Sequence, residues 1–90
     1  MVKRLHLLVK GDVRGVFYRH HASKKARDLK LTGRIRNEAN GDVSISVEGE
    51  SDALKDFVDW AWEGSPMAEV ADVDTTESEA ISEFEDFQII

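Results

Sequence analysis

The spacing of apolar residues switches between two periods along this chain, and the order of the switches limits the possible folds more than any single motif. From Val2 to Lys10 apolar residues alternate, placing Leu5, Leu7 and Val9 on one face of a strand. A stripe of Tyr18, Ala22, Ala26 and Leu29 then predicts a helix from Tyr18 to Lys30, with basic residues opposite. Gly33 marks a turn, Arg34 to Asn37 reads as a short strand with Ile35 inward, and Asn40-Gly41 signals a hairpin. In the returning strand Val43, Ile45 and Val47 alternate with Asp42, Ser44, Ser46 and Glu48. Ser51, as N-cap, with Asp52 in the first turn, opens a second helix whose stripe is Leu54, Phe57, Val58 and Ala61, with Trp62 packed beside it. Gly64 and Pro66 close that helix. A strand over Ala68 to Thr75 follows, and the three-residue step from Val70 to Val73 predicts a bulge. Thr76 to Ser82 reads as a polar connection and Phe84 to Ile90 as a final apolar strand, with Phe87 and Ile89 on one face.

Strand, helix, strand, strand, helix, strand is the split β-α-β arrangement made twice, which lays two helices on one face of an antiparallel sheet. The expected fold is an α/β two-layer sandwich of the ferredoxin-like βαββαβ kind, with a short extra C-terminal strand. Residues 1–90 are expected to form one domain around a single modest core. No apolar run approaches a membrane span, and Met1-Val-Lys-Arg-Leu-His has no secretory apolar region, so a cytoplasmic protein without a membrane partner is expected. The absence of cysteine excludes disulfides, thiolate metal sites and a cysteine nucleophile. The fold alone names no function, because this architecture carries many.

Chemistry enters with Gly11-Asp-Val-Arg-Gly-Val-Phe-Tyr-Arg19. This segment joins a strand to a helix start, and its two glycines let the backbone turn tightly and approach a ligand without a Cβ in the way. Backbone N–H groups at a helix start bind anions, and arginine adds a planar two-pronged donor suited to phosphate. A cation at a helix N-terminus opposes the dipole unless it has an anionic partner, which favours a functional Arg19 over a surface one. Charge is unevenly distributed as well. Residues 1–41 carry 11 of the 12 Lys and Arg with 3 acids, a balance of +8, whereas residues 42–90 carry Lys55 and 15 acids, a balance of −14. The loop thus lies in the basic part, while the acidic total argues against a nucleic-acid partner.

A second segment, Gly33-Arg-Ile-Arg-Asn37 followed by Gly41, Val43 and Gly49, sits near the loop if the hairpin lies beside the first strand. Asn37 could then present its carboxamide to the loop. The two segments together resemble the signatures of the acylphosphatase family, small enzymes that hydrolyse carboxylic–phosphoric anhydrides. The first signature is matched by Gly11, Val13, Gly15, Val16, Tyr18 and Arg19. The second is matched by Gly33, Ile35, Arg36, Asn37, Gly41, Val43 and Gly49. The resemblance covers essentially the whole chain. It implies that Arg19 grips the phosphate together with backbone amides of Arg14, Gly15, Val16, Phe17 and Tyr18, and that Asn37 orients the attacking water. It also implies a small-molecule acyl phosphate as substrate, inorganic phosphate as product, and neither metal nor cofactor; a monomer is expected.

That chemistry agrees with the residue types. An acyl phosphate already has a good leaving group, so placing water in line and stabilising charge on the phosphoryl group suffice. Asparagine has no pKa in the neutral range, which confines Asn37 to a geometric role. Two positions depart from the family pattern: Arg14 replaces its usual glutamine, with a side chain expected in solvent, and Arg34 replaces a frequent aromatic. The alternative function is a non-catalytic phosphate- or anion-binding regulatory module of the same fold. His20 and His21 are adjacent on a helix and diverge by about 100°, so they do not form a joint metal site. No serine has a histidine–acid pattern around it.

Overall fold

The computed structural model describes residues 1–90, and every expected element forms in the expected order. They are β1 (Val2–Asp12), α1 (Tyr18–Asp28), β2 (Thr32–Asn37), β3 (Val43–Glu50), α2 (Ser51–Glu63), β4 (Glu69–Glu79) and β5 (Phe87–Ile89). The strands make one sheet in the order β4-β1-β3-β2-β5. Both helices cover one face of it, as in a ferredoxin-like sandwich. The alternating residues meet there: Leu5, Leu7 and Val9 of β1, Ile35 of β2, and Val43, Ile45 and Val47 of β3 are buried against Tyr18, Ala22 and Ala26 of α1 and Leu54, Phe57 and Ala61 of α2. No helix is long and apolar enough to cross a membrane.

The sheet is mixed rather than wholly antiparallel, because β5 runs parallel to β2 with Gly33 opposite Phe87 and Ile35 opposite Ile89. Topology explains this. β4 ends with Glu79 opposite Lys3, at the same end of the sheet as Thr32, the first residue of β2. The chain crosses that end past Arg4 and Glu48, and β5 then returns along β2's own direction. Glu48, read from sequence as an ordinary outward residue, is 4% exposed. Its carboxylate accepts the backbone N–H groups of Ile81 and Ser82, both at 3.0 Å, and pairs with Arg4 at 3.3 Å.

Several local readings change. β4 continues through Thr76 to Glu79, the stretch expected to be a polar connection, because an edge strand needs no apolar alternation to pair with β1. β5 is correspondingly shorter than expected, and Phe84 lies before it under the guanidinium of Arg4, 4.9 Å from the ring centroid. Helix α1 stops at Asp28 with Leu29 as C-cap. Ser51 does not cap α2: Glu50 is the N-cap, and the Ser51 hydroxyl donates to the Met1 carbonyl at 2.9 Å. The packing tryptophan is Trp60 rather than the expected Trp62. Trp60 packs on Tyr18 and Phe57, with ring centroids 5.1 and 6.0 Å away, while Trp62 is 48% exposed.

The expected bulge is present and leads towards the loop. Lys10 pairs with Asp72 but Gly11 pairs with Val70, leaving Ala71 without a partner on β1. Gly11 has φ +128°, and a Cβ there would overlap the Glu69 carbonyl and lie 2.6 Å from the Ala71 nitrogen. Only glycine fits on β1 opposite this bulge, past which the pairing continues to Asp12 and Glu69.

Candidate active site

Between β1 and α1 the backbone enters the left-handed region twice, at Gly15 (φ 74°) and at Phe17 (φ 61°, ψ 23°). The second is costly for an aromatic residue and is held from both sides. Tyr18, the first residue of α1, is buried, and its hydroxyl donates to the Ala61 carbonyl at 2.8 Å. That burial raises the Tyr18 pKa well above the ordinary phenol value. Ser65, 3% exposed, donates its hydroxyl to the Val16 carbonyl at 2.7 Å. The end of α2 and the turn after it thus clamp the chain at Val16 and Tyr18, on either side of Phe17.

The loop's own donors stay free. No amide from Arg14 to His20 donates a hydrogen bond to the protein's backbone, although the Phe17 carbonyl accepts from His21. The backbone amides that bond side chains are those of Asp42, Ile81 and Ser82. A helix start always leaves some orphan donors, but here they run on into the preceding loop. Beside them is a cleft of about 250 Å³ walled by Val13, Gly15, Phe17, Tyr18, Arg19, His20 and Ile89. Arg19 forms no ion pair within the protein. Phe17, 73% exposed, flanks the opening. Of the expected loop residues, Arg14 points to solvent and Val16 is half-buried, and neither side chain walls the cleft.

Asn37 arrives from the other direction. It is the last residue of β2 and pairs with Val43, which pairs with Val9 of β1. Register therefore puts Asn37 at the loop's end of the sheet, two strand spacings or about 10 Å across from Val9. The turn after it is tied by its own polar groups: Glu38 N–H donates to the Asp42 carbonyl at 2.7 Å, and the Asn40 side chain accepts from Asp42 N–H at 3.1 Å. Asn37 takes no part in that network. Its Oδ1 is buried and has no hydrogen-bond partner, the condition that buried polar atoms normally avoid. The side chain does not itself wall the Arg19 cleft.

Sequence reasoning missed Ser65 and Ile89. Ser65 acts on a carbonyl 49 residues away, and no local pattern announces such a bond. Ile89 reaches the cleft because β5 joins the sheet edge under α1, where Arg27 holds it by donating to the Phe87 carbonyl at 2.8 Å. Arg34, one of the two departures from the family pattern, lies over the Phe84 ring at 5.6 Å on the open face of the sheet and does not reach this cleft.

Comparison with known proteins identifies the family. Residues 5–89 match the family model described as Acylphosphatase. An acylphosphatase of Marinobacter nauticus is 46% identical over 87 residues, covering 97% of this chain and 95% of the relative. One from Coxiella burnetii is 39% identical over 85 residues, covering 94% and 88%. The crystal structure of acylphosphatase from Bacillus subtilis superposes with a TM-score of 0.95 at 34% identity, covering 100% of this chain and 99% of that one. A full-length family match and relatives of this identity leave one assignment: the chain belongs to the acylphosphatase family of hydrolytic enzymes.

Proposed function

We propose that the protein hydrolyses the carboxyl–phosphate anhydride of a small acyl phosphate, releasing a carboxylate and inorganic phosphate. The phosphoryl oxygens lie among the amides of Arg14, Gly15, Val16, Phe17 and Tyr18, and Arg19 closes on them as a bidentate donor. Asn37 holds a water in line with the phosphorus through its carboxamide. The water attacks, the bond from phosphorus to the anhydride oxygen breaks, and the carboxylate leaves without a general acid. The attacking water's proton passes to a phosphate oxygen, since Asn37 cannot accept it. Rate comes from positioning and from charge stabilisation rather than from an acid–base pair. The protein acts as a single-domain cytoplasmic monomer, without metal, cofactor, nucleic acid or membrane.

The unsatisfied amides from Arg14 to His20 beside an unpaired Arg19 carry this reading. The test is hydrolysis of benzoyl phosphate in the presence of chelator by the native chain, Arg19→Lys and Asn37→Ala. Arg19→Lys should lose turnover and phosphate binding, because a point charge does not reproduce a two-pronged donor. Asn37→Ala should lose turnover while keeping affinity for inorganic phosphate. A folded native chain that binds phosphate but turns over no acyl phosphate would instead be a phosphate-binding module.

A further inference from the structure

A second cleft adjoins the first along α1. Its volume is about 420 Å³, and it is walled by His20, Ser23, Lys24, Arg27, Asp28 and Ile89. His20 and Ile89 wall both clefts, so one groove runs from the loop down the side of the helix. Its charge is unbalanced. The molecule forms six ion pairs, and none uses a cation of α1: Arg19, Lys24, Lys25 and Arg27 are all unpaired. Lys24 and Asp28 are four residues apart on the helix yet do not pair. Arg27 is held on the groove wall by its bond to the Phe87 carbonyl. Like charges a helical turn apart repel, and this chain has 18 acids with which to neutralise them elsewhere in its sequence. Half of those acids lie on α2 and β4, and α1 itself carries only Asp28.

Building on the acyl phosphate reading, we propose that this groove is the acyl-group subsite and selects substrates whose acyl part ends in a second anionic group. Arg19 takes the phosphoryl group at one end. Ile89, 44% exposed, offers apolar surface to the middle of the acyl group. Lys24 and Arg27 take the distal anion, about 7.5 and 12 Å beyond Arg19 along the helix axis. A para-carboxylate on benzoyl phosphate reaches into the nearer part of that interval.

The test compares kcat/KM for 4-carboxybenzoyl phosphate and benzoyl phosphate at low and high salt, in the native chain, Lys24→Glu and Lys55→Glu. Lys55 is on α2, so its reversal changes net charge equally without touching the groove. The native chain should prefer the carboxylated substrate about fivefold at low salt, and screening should erode that preference. Lys24→Glu should lower the ratio about tenfold, the ratio cancelling any effect of the new charge on the phosphoryl group common to both substrates; Lys55→Glu should leave the ratio unchanged. Equal ratios in the native chain and Lys24→Glu would overturn the subsite. Equilibrium binding of benzylphosphonate and 4-carboxybenzylphosphonate separates this from failure of the hydrolytic reading. Without turnover, a carboxylate preference that Lys24→Glu abolishes would still support the groove, and equal affinities would overturn it.

Discussion

Replacing Asn37 with leucine should make the protein more stable and nearly inactive. Leucine keeps the branching and approximate size of asparagine but replaces both terminal polar atoms with methyl groups. In the native chain Oδ1 is buried without a partner, and such a group costs about 1–3 kcal/mol relative to a satisfied or apolar one. The amide nitrogen is not among the buried unsatisfied atoms, so a methyl in its place adds little. The position is also the end of a strand, which leucine tolerates better than asparagine does. The net expectation is a gain of about 1 kcal/mol, or about 4–8 °C in Tm for a domain of this size.

Turnover should move the opposite way, falling by about 100-fold or more, because misplacing an attacking group by an ångström has that effect. Affinity for inorganic phosphate should change little, since the proposed phosphate site is made of loop amides and Arg19. Thermal and urea unfolding, benzoyl phosphate kinetics and phosphate titration measure the three quantities on one preparation. A loss of 1 kcal/mol or more would mean that Oδ1 helps to hold the hairpin, and the reasoning from its unpaired state would fail. Unchanged turnover would remove Asn37 from the reaction.

Three further outcomes are expected. Ser65→Ala releases the Val16 carbonyl and should weaken phosphate binding several-fold with about 1 kcal/mol of lost stability, read by titration calorimetry and urea unfolding. Glu48→Gln puts a donor among the amides of Ile81 and Ser82 and the Arg4 guanidinium. It should cost about 2–3 kcal/mol and expose residues 80–86 to proteolysis, without altering KM. Tyr18 is the only tyrosine, so absorbance at 295 nm reports it alone among phenols. Its folded pKa lies above the ordinary 10.0, so the stability it confers is complete below that pH and is lost as pH rises past it. Tyrosinate should therefore appear together with unfolding, and Tyr18→Phe should remove this share of the alkaline destabilisation.

The parts of the fold legible in the sequence are those whose burial is one-sided. β1, β3 and the two helices each face one core, so periodicity marks them and their inward residues directly. The edges lack that signal. Thr76 to Glu79 forms strand because β1 offers it a ladder, and nothing in Thr-Glu-Ser-Glu itself demands one. The parallel pairing of β5 follows from where the crossing segment is anchored. That anchor is Glu48, whose place in an alternating strand looks identical whether its carboxylate meets solvent or two backbone amides.

At the site the same distinction applies to chemistry. Arg19 stands out in the sequence as a candidate because a cation at a helix start, after a loop with two glycines, conflicts with the dipole unless an anion joins it. Asn37 becomes a candidate only in combination with that loop, since an asparagine before a turn has ordinary structural uses. The structure removes one of those uses: Asn40, not Asn37, supplies the side-chain oxygen to the turn. An asparagine that does no turn chemistry and keeps a buried oxygen unpaired is a cost to the fold. The Asn37→Leu comparison asks whether that cost is what turnover requires.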